Sequence, residues 1–513
     1  MEANGVDVSF SIPLKICFIP FVAPGHMIAL VELARLFAAR RLHVTVITTV
    51  KNAHLIQKYI DKDVARGIHP ITIQAFTFPA QEVGLPDDGD ENLVSVKDME
   101  TAIKIYKALN ILQGRMEEFM SQNPPDCVVS DDIFSWTTEF AKKLGIPRLA
   151  FNTYSVFTMS LVDYVRRPDS PHLKVSSDSE TFQFPGLPNT ITMTRSRLPD
   201  YVRDPALSSH AIDRIFEAER NSYGVIVNCF AELETEYTEY YKKISGQTLW
   251  HVGPSALIHR NADDKGSRSH ESHVDEHAFL QWLDTKEPSS VLYICFGSWC
   301  QFPDEQLYEI ASGLEFSGHQ FLWVVLGKDA NNETEEHTIK WLPEGFEERT
   351  KNKGLILRGW APQVLILDHP AIGGFLTHCG SNSLIEGIAA GVPFVTWPLS
   401  ADQFYNEKLV TQVHGIGVEV GVEEWLPFFF EGQKYGKRVD REMVKRAVKK
   451  LMDNGEGGEE MRRRSKKLAD VAKKALEKDG SSYQNLTALI KDLQRLRANR
   501  LGMSTSLYYT KQN

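Results

Sequence analysis

The sequence predicts an α/β chain built from two doubly wound domains. Three observations point there: 513 residues are too many for one ordinary core, strand and helix patterns alternate in both halves, and a polar, aperiodic stretch separates them. With 42% hydrophobic and 24% charged residues, neither wholesale disorder nor a fibrous repeat fits.

Leu14–Ile19 reads LKICFI, a mostly apolar strand, and Pro20–His26 is a Pro/Gly loop. Met27–Arg40 then carries apolar residues at helical spacing before a second strand at His43–Thr48. This is a βαβ unit. The run Ile16–Ala23 is broken by Pro20 and lacks a small-residue cleavage site, so it reads as core strand and loop rather than signal peptide. Cys127–Ser130, a helix over Phe134–Leu144 and a strand at Arg148–Phe151 repeat the alternation, as a parallel sheet covered on both faces requires. Ser255–His277 is the polar connection, and its four histidines lack the fixed spacing of metal ligands. Beyond it, Val291–Phe296, Phe321–Val325, Gly354–Leu357, Gly374–Thr377 and Phe394–Thr396 read as strands of a second domain. Arg438–Arg500 is charged and helical in period, with a Gly-rich break at Asn454–Gly458. The boundaries expected are 1–254 for the first domain, 255–277 for the linker and 278–478 for the second domain. A terminal helix over 479–500 is expected to pack back on the first domain.

The formal charge of −10 repels a phosphate backbone, which argues against a nucleic-acid partner. Six cysteines are scattered singly without a CxxC pair and read as reduced and buried. With no transmembrane run and no lipidation motif, the expected compartment is the cytosol, and the expected state is monomeric.

The chemistry concentrates in Trp360–Gln403, WAPQVLILDHPAIGGFLTHCGSNSLIEGIAAGVPFVTWPLSADQ, which contains no lysine or arginine. A strand runs through Gly374–Thr377 into His378-Cys379-Gly380-Ser381-Asn382-Ser383 and then into a helix. Backbone N–H groups at the positive helix end therefore converge beside small hydroxyl and amide side chains. This is an anion site built from dipoles.

These 44 residues resemble the plant secondary-product glycosyltransferase box, the signature of plant UDP-dependent glycosyltransferases of family 1. The ordered Trp-Ala-Pro-Gln, His-Cys-Gly, Asn-Ser, Glu, Gly-Val-Pro and closing Asp-Gln are far more specific than a lone glycine motif. Similarity extends to PFVAPGHM, CVVSDDIFSW and ICFGS, and so touches most of the chain. Gly25–Met27 and Asp402–Val410 resemble the subfamily that acts on triterpenoids, steroids and flavonoids.

The resemblance implies a GT-B architecture, two Rossmann-like domains facing each other across a cleft, with UDP-sugar as co-substrate and no metal cofactor. It implies that Trp360 stacks on uracil, Ala361 pairs with the base edge and Gln363 lies near the ribose. Glu386, an acceptor-only carboxylate, would take ribose hydroxyls, although Ser383-x-x-Glu386 also fits a capping box. His378, Gly380, Asn382 and Ser383 would hold the diphosphate with Ser298, and Gly25 would lie close by. Asp402 and Gln403 would bind sugar hydroxyls, although spacing alone fits a turn.

Transfer to a hydroxyl needs a base, and His26 fits because it follows the first strand, where crevices of open α/β sheets form. An unperturbed imidazole, with its pKa near 6.5, is mostly neutral in the cell. Asp131 would orient His26, with Asp132 as its rival. Alternating side-chain direction lets only one of the two face His26. Thr153 is a candidate for touching donor phosphate or sugar. The expected reaction is inverting displacement, giving a β-glycoside. Asp88–Asp90, an Asp-x-Asp, lies in a Gly/Pro-rich loop and reads as a solvated turn rather than a metal site.

The resembled family usually carries tryptophan where this chain has Ser381, which opens galactose or glucuronic acid as donor sugars, while Gln403 favours glucose. Ala29 replaces a usual proline, with a local effect expected at the helix start. A nicotinamide oxidoreductase lacks its GxGxxG here, and a non-catalytic UDP-sugar sensor would not need His26 and Asp131. The acceptor is expected to be small and lipophilic, shaped by Gln81–Asn92, Phe134–Trp136 and Pro185–Val202.

Overall fold

The computed structural model describes residues 13–502 apart from 87, 88, 90, 95, 97, 205–209, 259–264, 266–273, 299, 301, 327–340 and 427–436. Asp88 and Asp90 and most of the linker thus lie outside the described residues.

The first lobe runs β1 Lys15–Ile19, α1 Pro24–Ala39, β2 His43–Thr49, α2 Val50–Ala65, β3 Ile71–Phe76, α3 Met99–Gln122, β4 Cys127–Asp131, α4 Trp136–Leu144, β5 Arg148–Asn152 and α5 Val156–Val165. A small hairpin, β6 Thr181–Gln183 and β7 Thr192–Thr194, is followed by α6 Asp200–Arg203, α7 His210–Arg220, β8 Gly224–Val227, α8 Thr235–Ser245 and β9 Leu249–His251. The second lobe follows with α9 Glu276–Asp284, β10 Val291–Cys295, α10 Asp304–Ser317, β11 Gln320–Val325, α11 Phe346–Thr350, β12 Gly354–Arg358, α12 Gln363–Leu367, β13 Ile372–Thr377 and α13 Ser381–Ala390. It closes with β14 Phe394–Thr396, α14 Gln403–Lys408, β15 Gly417–Glu419, α15 Arg441–Met452, α16 Glu456–Leu476 and α17 Ser481–Arg500.

The first sheet has seven parallel strands in the order β3-β2-β1-β4-β5-β8-β9, and the second has six in the order β12-β11-β10-β13-β14-β15. The central strands are covered on both faces, so β4 and β13 are mostly apolar and buried along their whole length. In both sheets the order reverses beside the strand that opens the lobe, between β1 and β4 and between β10 and β13. Chain leaving those strands diverges to opposite faces, which leaves a crevice at their carboxyl ends. The two reversals therefore place the loops after β1, β4, β10 and β13 where a ligand can sit.

Local rules set the helix starts. Asp98, Ser155 and Asp440 cap α3, α5 and α15 by accepting backbone N–H bonds from Thr101, Thr158 and Met443. Helix α1 begins at Pro24, earlier than Met27, because proline suits the first turn, where its missing N–H costs nothing. His26 thus belongs to that first turn, and Ala29 lies in the buried helix interior rather than at its start.

The terminal helix α17 packs on the first lobe: Leu486, Leu489 and Leu493 join the core of β1 and α1, Arg40 lies over Tyr483, and Arg500 pairs with Asp126. The lobes also touch directly. Ser196 Oγ donates to the Glu423 carbonyl at 2.6 Å, Arg197 pairs with Glu419 at 3.1 Å, and Gln412 exchanges hydrogen bonds with the backbone of Thr192. The segment Pro185–Val202, expected at the acceptor mouth, is spent in large part on this contact. The reason is its hairpin, which carries the chain off the first sheet onto the partner lobe.

Candidate active site

His26 Nδ1 lies 2.7 Å from Asp131 Oδ2. Asp131 ends β4 and is fully buried, while the His26 side chain is 29% exposed and lines the cleft. With Nδ1 committed to the carboxylate, Nε2 is the nitrogen left to meet a substrate. Asp132, already beyond the strand, is also buried close by, and with His26 and Asp131 it offers ligand atoms within 4.8 Å of one another. The pleat rule that was to separate the two aspartates stops applying where the strand ends.

Burial pulls the His26 pKa down, but the charge and hydrogen bond of Asp131, with the charges of Asp132 and Asp402, more than offset it and raise it to about 9. The imidazole is therefore mostly protonated at neutral pH, which corrects the expectation of a ring near its ordinary value. Burial and the Asp131 charge push the Asp132 carboxyl up from its ordinary range, and the His26 charge opposes them.

Opposite this pair, α13 starts at Ser381 with Gly380 as N-cap and no side-chain cap. Its first-turn N–H groups, in Ser381, Asn382 and Ser383, are left to face the cleft. Ser383 sits inside the first turn, so the capping-box reading of Ser383 and Glu386 does not hold. Instead Gln363 Nε2 donates to Glu386 Oε2 at 2.7 Å and to Ser383 Oγ at 3.1 Å, tying α12 to α13. His378 is packed between two glycines: a Cβ on Gly297 would lie 2.7 Å from its ring, and one on Gly380 2.5 Å from Nε2. Burial holds its pKa down to about 4, so the ring is neutral and can donate one N–H.

Asn382 reaches across the gap, its Nδ2 donating to the Gly25 carbonyl and its Oδ1 accepting from Asn228 at 3.4 Å. Gln403 Oε1 accepts from the backbone of Leu399 and Ser400, at 2.9 and 3.0 Å. Gly25, His26, Thr153, Ser298, Trp360, Ala361, Gln363, His378, Gly380, Ser381, Asn382, Ser383, Glu386, Asp402 and Gln403 all line one interlobe cavity of about 370 Å³. Asp131 stands behind it.

The chain matches the family described as UDP-glucoronosyl and UDP-glucosyl transferase over residues 116–425. It is 53% identical to a UDP-glucosyl transferase, 73CC6, of Saponaria officinalis, over 95% of this chain and 98% of that one. It is 44% identical to scopoletin glucosyltransferase of Nicotiana tabacum, over 94% and 98%. Among solved structures, Glycyrrhiza uralensis UGT73P12 complexed with glycyrrhetinic acid 3-O-monoglucuronide superposes with a TM-score of 0.88 at 41% identity, covering 96% and 97% of the two chains.

The chain belongs to the UDP-glycosyltransferase family.

The enzyme has the two-lobed GT-B fold of that family, and its relatives are UDP-glycosyltransferases. Among the described residues no helix is long and apolar enough to cross a membrane.

Several cleft residues carried no readable signal in the sequence. Phe21, Tyr106 and Ile133 form an apolar wall beside His26, with Phe21 stacked on Tyr106 and edge-on to the His26 ring. Burial and the charges of Asp131 and Asp132 push the Tyr106 hydroxyl up to about 12, so it stays neutral. Cys295 and Cys300 are only half-buried and line the same cavity, against the expectation that all six cysteines are buried. Lys265, within the expected solvated linker, pairs with Asp368 and lines the cleft, so a lysine from outside the box reaches it.

The raised pKa makes a signed prediction. His26 can accept a proton only when neutral, so kcat/KM should climb about tenfold per pH unit below the pKa and level off above pH 9. Asp131→Asn should move that limb to lower pH. A profile flat from pH 6 to 9 would contradict a raised His26 pKa in the base that limits turnover. Stability runs the other way: the gain is full below the ordinary histidine pKa and is lost as pH rises through about 9.

Proposed function

We propose that this enzyme transfers glucose from UDP-glucose to a hydroxyl of a small lipophilic plant metabolite, a triterpenoid or steroid before a flavonoid, with inversion to a β-glycoside. The observation that carries it is the 2.7 Å His26–Asp131 pair facing an uncapped helix end across one cavity. Neutral His26 takes the acceptor proton, the acceptor oxygen bonds to the anomeric carbon, and the bond to the diphosphate oxygen breaks from the opposite face. UDP leaves with the electron pair, met by the amides of α13, the His378 N–H and the hydroxyls of Ser298 and Ser383. Asp131 stabilises the imidazolium that forms.

Trp360 and Ala361 would hold uracil, and Gln363 and Glu386 the ribose. Asp402 and Gln403 would bind the sugar, Gln403 with the Nε2 donors that its backbone-bound carbonyl leaves over. Thr153 would face the donor from the first lobe. The wall of Phe21, Tyr106 and Ile133 suits a flat apolar acceptor. Glucose is supported by the relatives named as glucosyltransferases. A second reading, galactosyl or glucuronosyl transfer to a triterpenoid, is favoured by Ser381, which sets a small hydroxyl, bonded to Asp402, where the resembled family carries an indole.

We further propose that catalysis needs no metal: Nδ1 of the one described three-ligand cluster is already held by Asp131. The enzyme is expected to work as a cytosolic monomer. Assays with UDP-glucose, UDP-galactose and UDP-glucuronate against terpenoid and phenol acceptors, with and without chelator, test these points together. UDP-glucose should lead and the chelator should change nothing. Preference for another donor would overturn glucose, and loss of turnover restored by manganese would overturn metal independence.

A further inference from the structure

We propose that Asn406 is a positioning residue that sets the carboxylate of Asp402 and links its setting to the acceptor lobe through Thr158. Asn406 lies on α14 and is only 2% exposed. Its Nδ2 has acceptors at 2.7 Å in Asp402 Oδ2, at 3.0 Å in Ser381 Oγ and at 2.9 Å in the Cys379 carbonyl. Its Oδ1 accepts a 2.7 Å hydrogen bond from the Thr158 hydroxyl. Thr158 is fully buried in the first turn of α5, in the opposite lobe.

Ser381 completes the arrangement, its hydroxyl donating to the same Asp402 Oδ2 at 2.6 Å. One carboxylate oxygen is thus claimed twice from within the protein. No described residue donates to Oδ1, which belongs to a side chain lining the cavity. An amide is suited to this place because it donates toward the carboxylate and accepts from the hydroxyl at once. Asp402 and the Cys379 carbonyl, which only accept, turn the N–H₂ side of the amide toward themselves, and the Thr158 hydroxyl supplies the donor that the buried Oδ1 then needs. The Thr158 bond holds the other end of that amide from the opposite lobe, so the chain Thr158–Asn406–Asp402 ties the sugar-binding carboxylate to the seating of the two lobes.

This rests on the reading that Asp402 contacts the transferred sugar. The test compares the KM of the best donor among UDP-glucose, UDP-galactose and UDP-glucuronate with the inhibition constant of UDP, which has no sugar. Thr158→Val removes the hydroxyl and keeps the volume. It should raise donor KM about fivefold and flatten the preference among the three donors, with UDP inhibition unchanged. Thr158→Ser, which keeps the hydroxyl, should restore both values. If Thr158→Val does not fold, Asn406→Ser carries the same readouts and the same expectation. A parallel rise in donor KM and UDP inhibition constant, or no change in either, overturns the proposal. Asp402→Asn separates the two layers: an unchanged donor profile removes the sugar contact and the proposal with it. A profile altered by Asp402→Asn and untouched by Thr158→Val overturns the proposal and leaves the sugar contact standing.

Discussion

His26→Ala will lower kcat by roughly 10²- to 10⁴-fold, the range expected for a positioned general base. The fold should survive, because His26 is a half-buried residue in the first turn of α1 and the helix core behind it is untouched. Loss of the ring leaves the buried Asp131 carboxylate without its imidazole partner and takes an edge-on contact from Phe21, with centroids 5.5 Å apart, so a clear drop in melting temperature is expected. UDP affinity should be nearly unchanged, since the residues proposed to hold the nucleotide lie on the second lobe. Isothermal titration with UDP and single-turnover assays measure the two quantities separately. Turnover retained within a factor of about ten, below that range, would remove His26 as the base. Loss of UDP binding in step with turnover would show that the variant had disturbed the cleft instead.

The strands that form the site were readable because both sheets are parallel and covered on both faces, which compresses each buried strand into a short apolar run such as VLYIC or IGGFLT. The strand β3, ITIQAF, is half-exposed at a sheet edge and carries no such run. Strand-end position points to His26 and to the neighbours Asp131 and Asp132, and only the family resemblance separates the two aspartates. The protonation state of His26 did not follow, because it depends on how closely Asp131 and then Asp132 approach the ring in the folded chain, with a lesser push from Asp402 of the other lobe. Asn406 shows the same limit. It stands in DQFYNEKLV as one polar residue among several, and its role depends on Thr158, 248 positions away. Tyr106 lies on a long helix whose spacing separates the core face from the outer face. That spacing does not reveal that a partly exposed tyrosine borders the cavity.

Gly297→Ala is expected to weaken donor binding by about ten- to a hundredfold, the equivalent of losing a hydrogen bond to a charged group. Two effects act at this position. Its φ of +75° lies in the left-handed region, where a side chain costs about 1–2 kcal/mol. Its added Cβ would stand 2.7 Å from both Cε1 and Nε2 of His378, closer than carbon atoms approach. The imidazole must therefore leave the place from which it would donate to the diphosphate. Gly246→Ala isolates the first effect, because that glycine has a φ of +68° and nothing within 4 Å of a Cβ. It should lower melting temperature without changing donor KM. His378→Ala should reproduce most of the donor defect, and adding Gly297→Ala to it should cost little more, since the group that the methyl displaces is already gone. Additive losses in the double variant would show that the methyl acts through some route other than the imidazole, and the assignment of His378 to the diphosphate would lose its support.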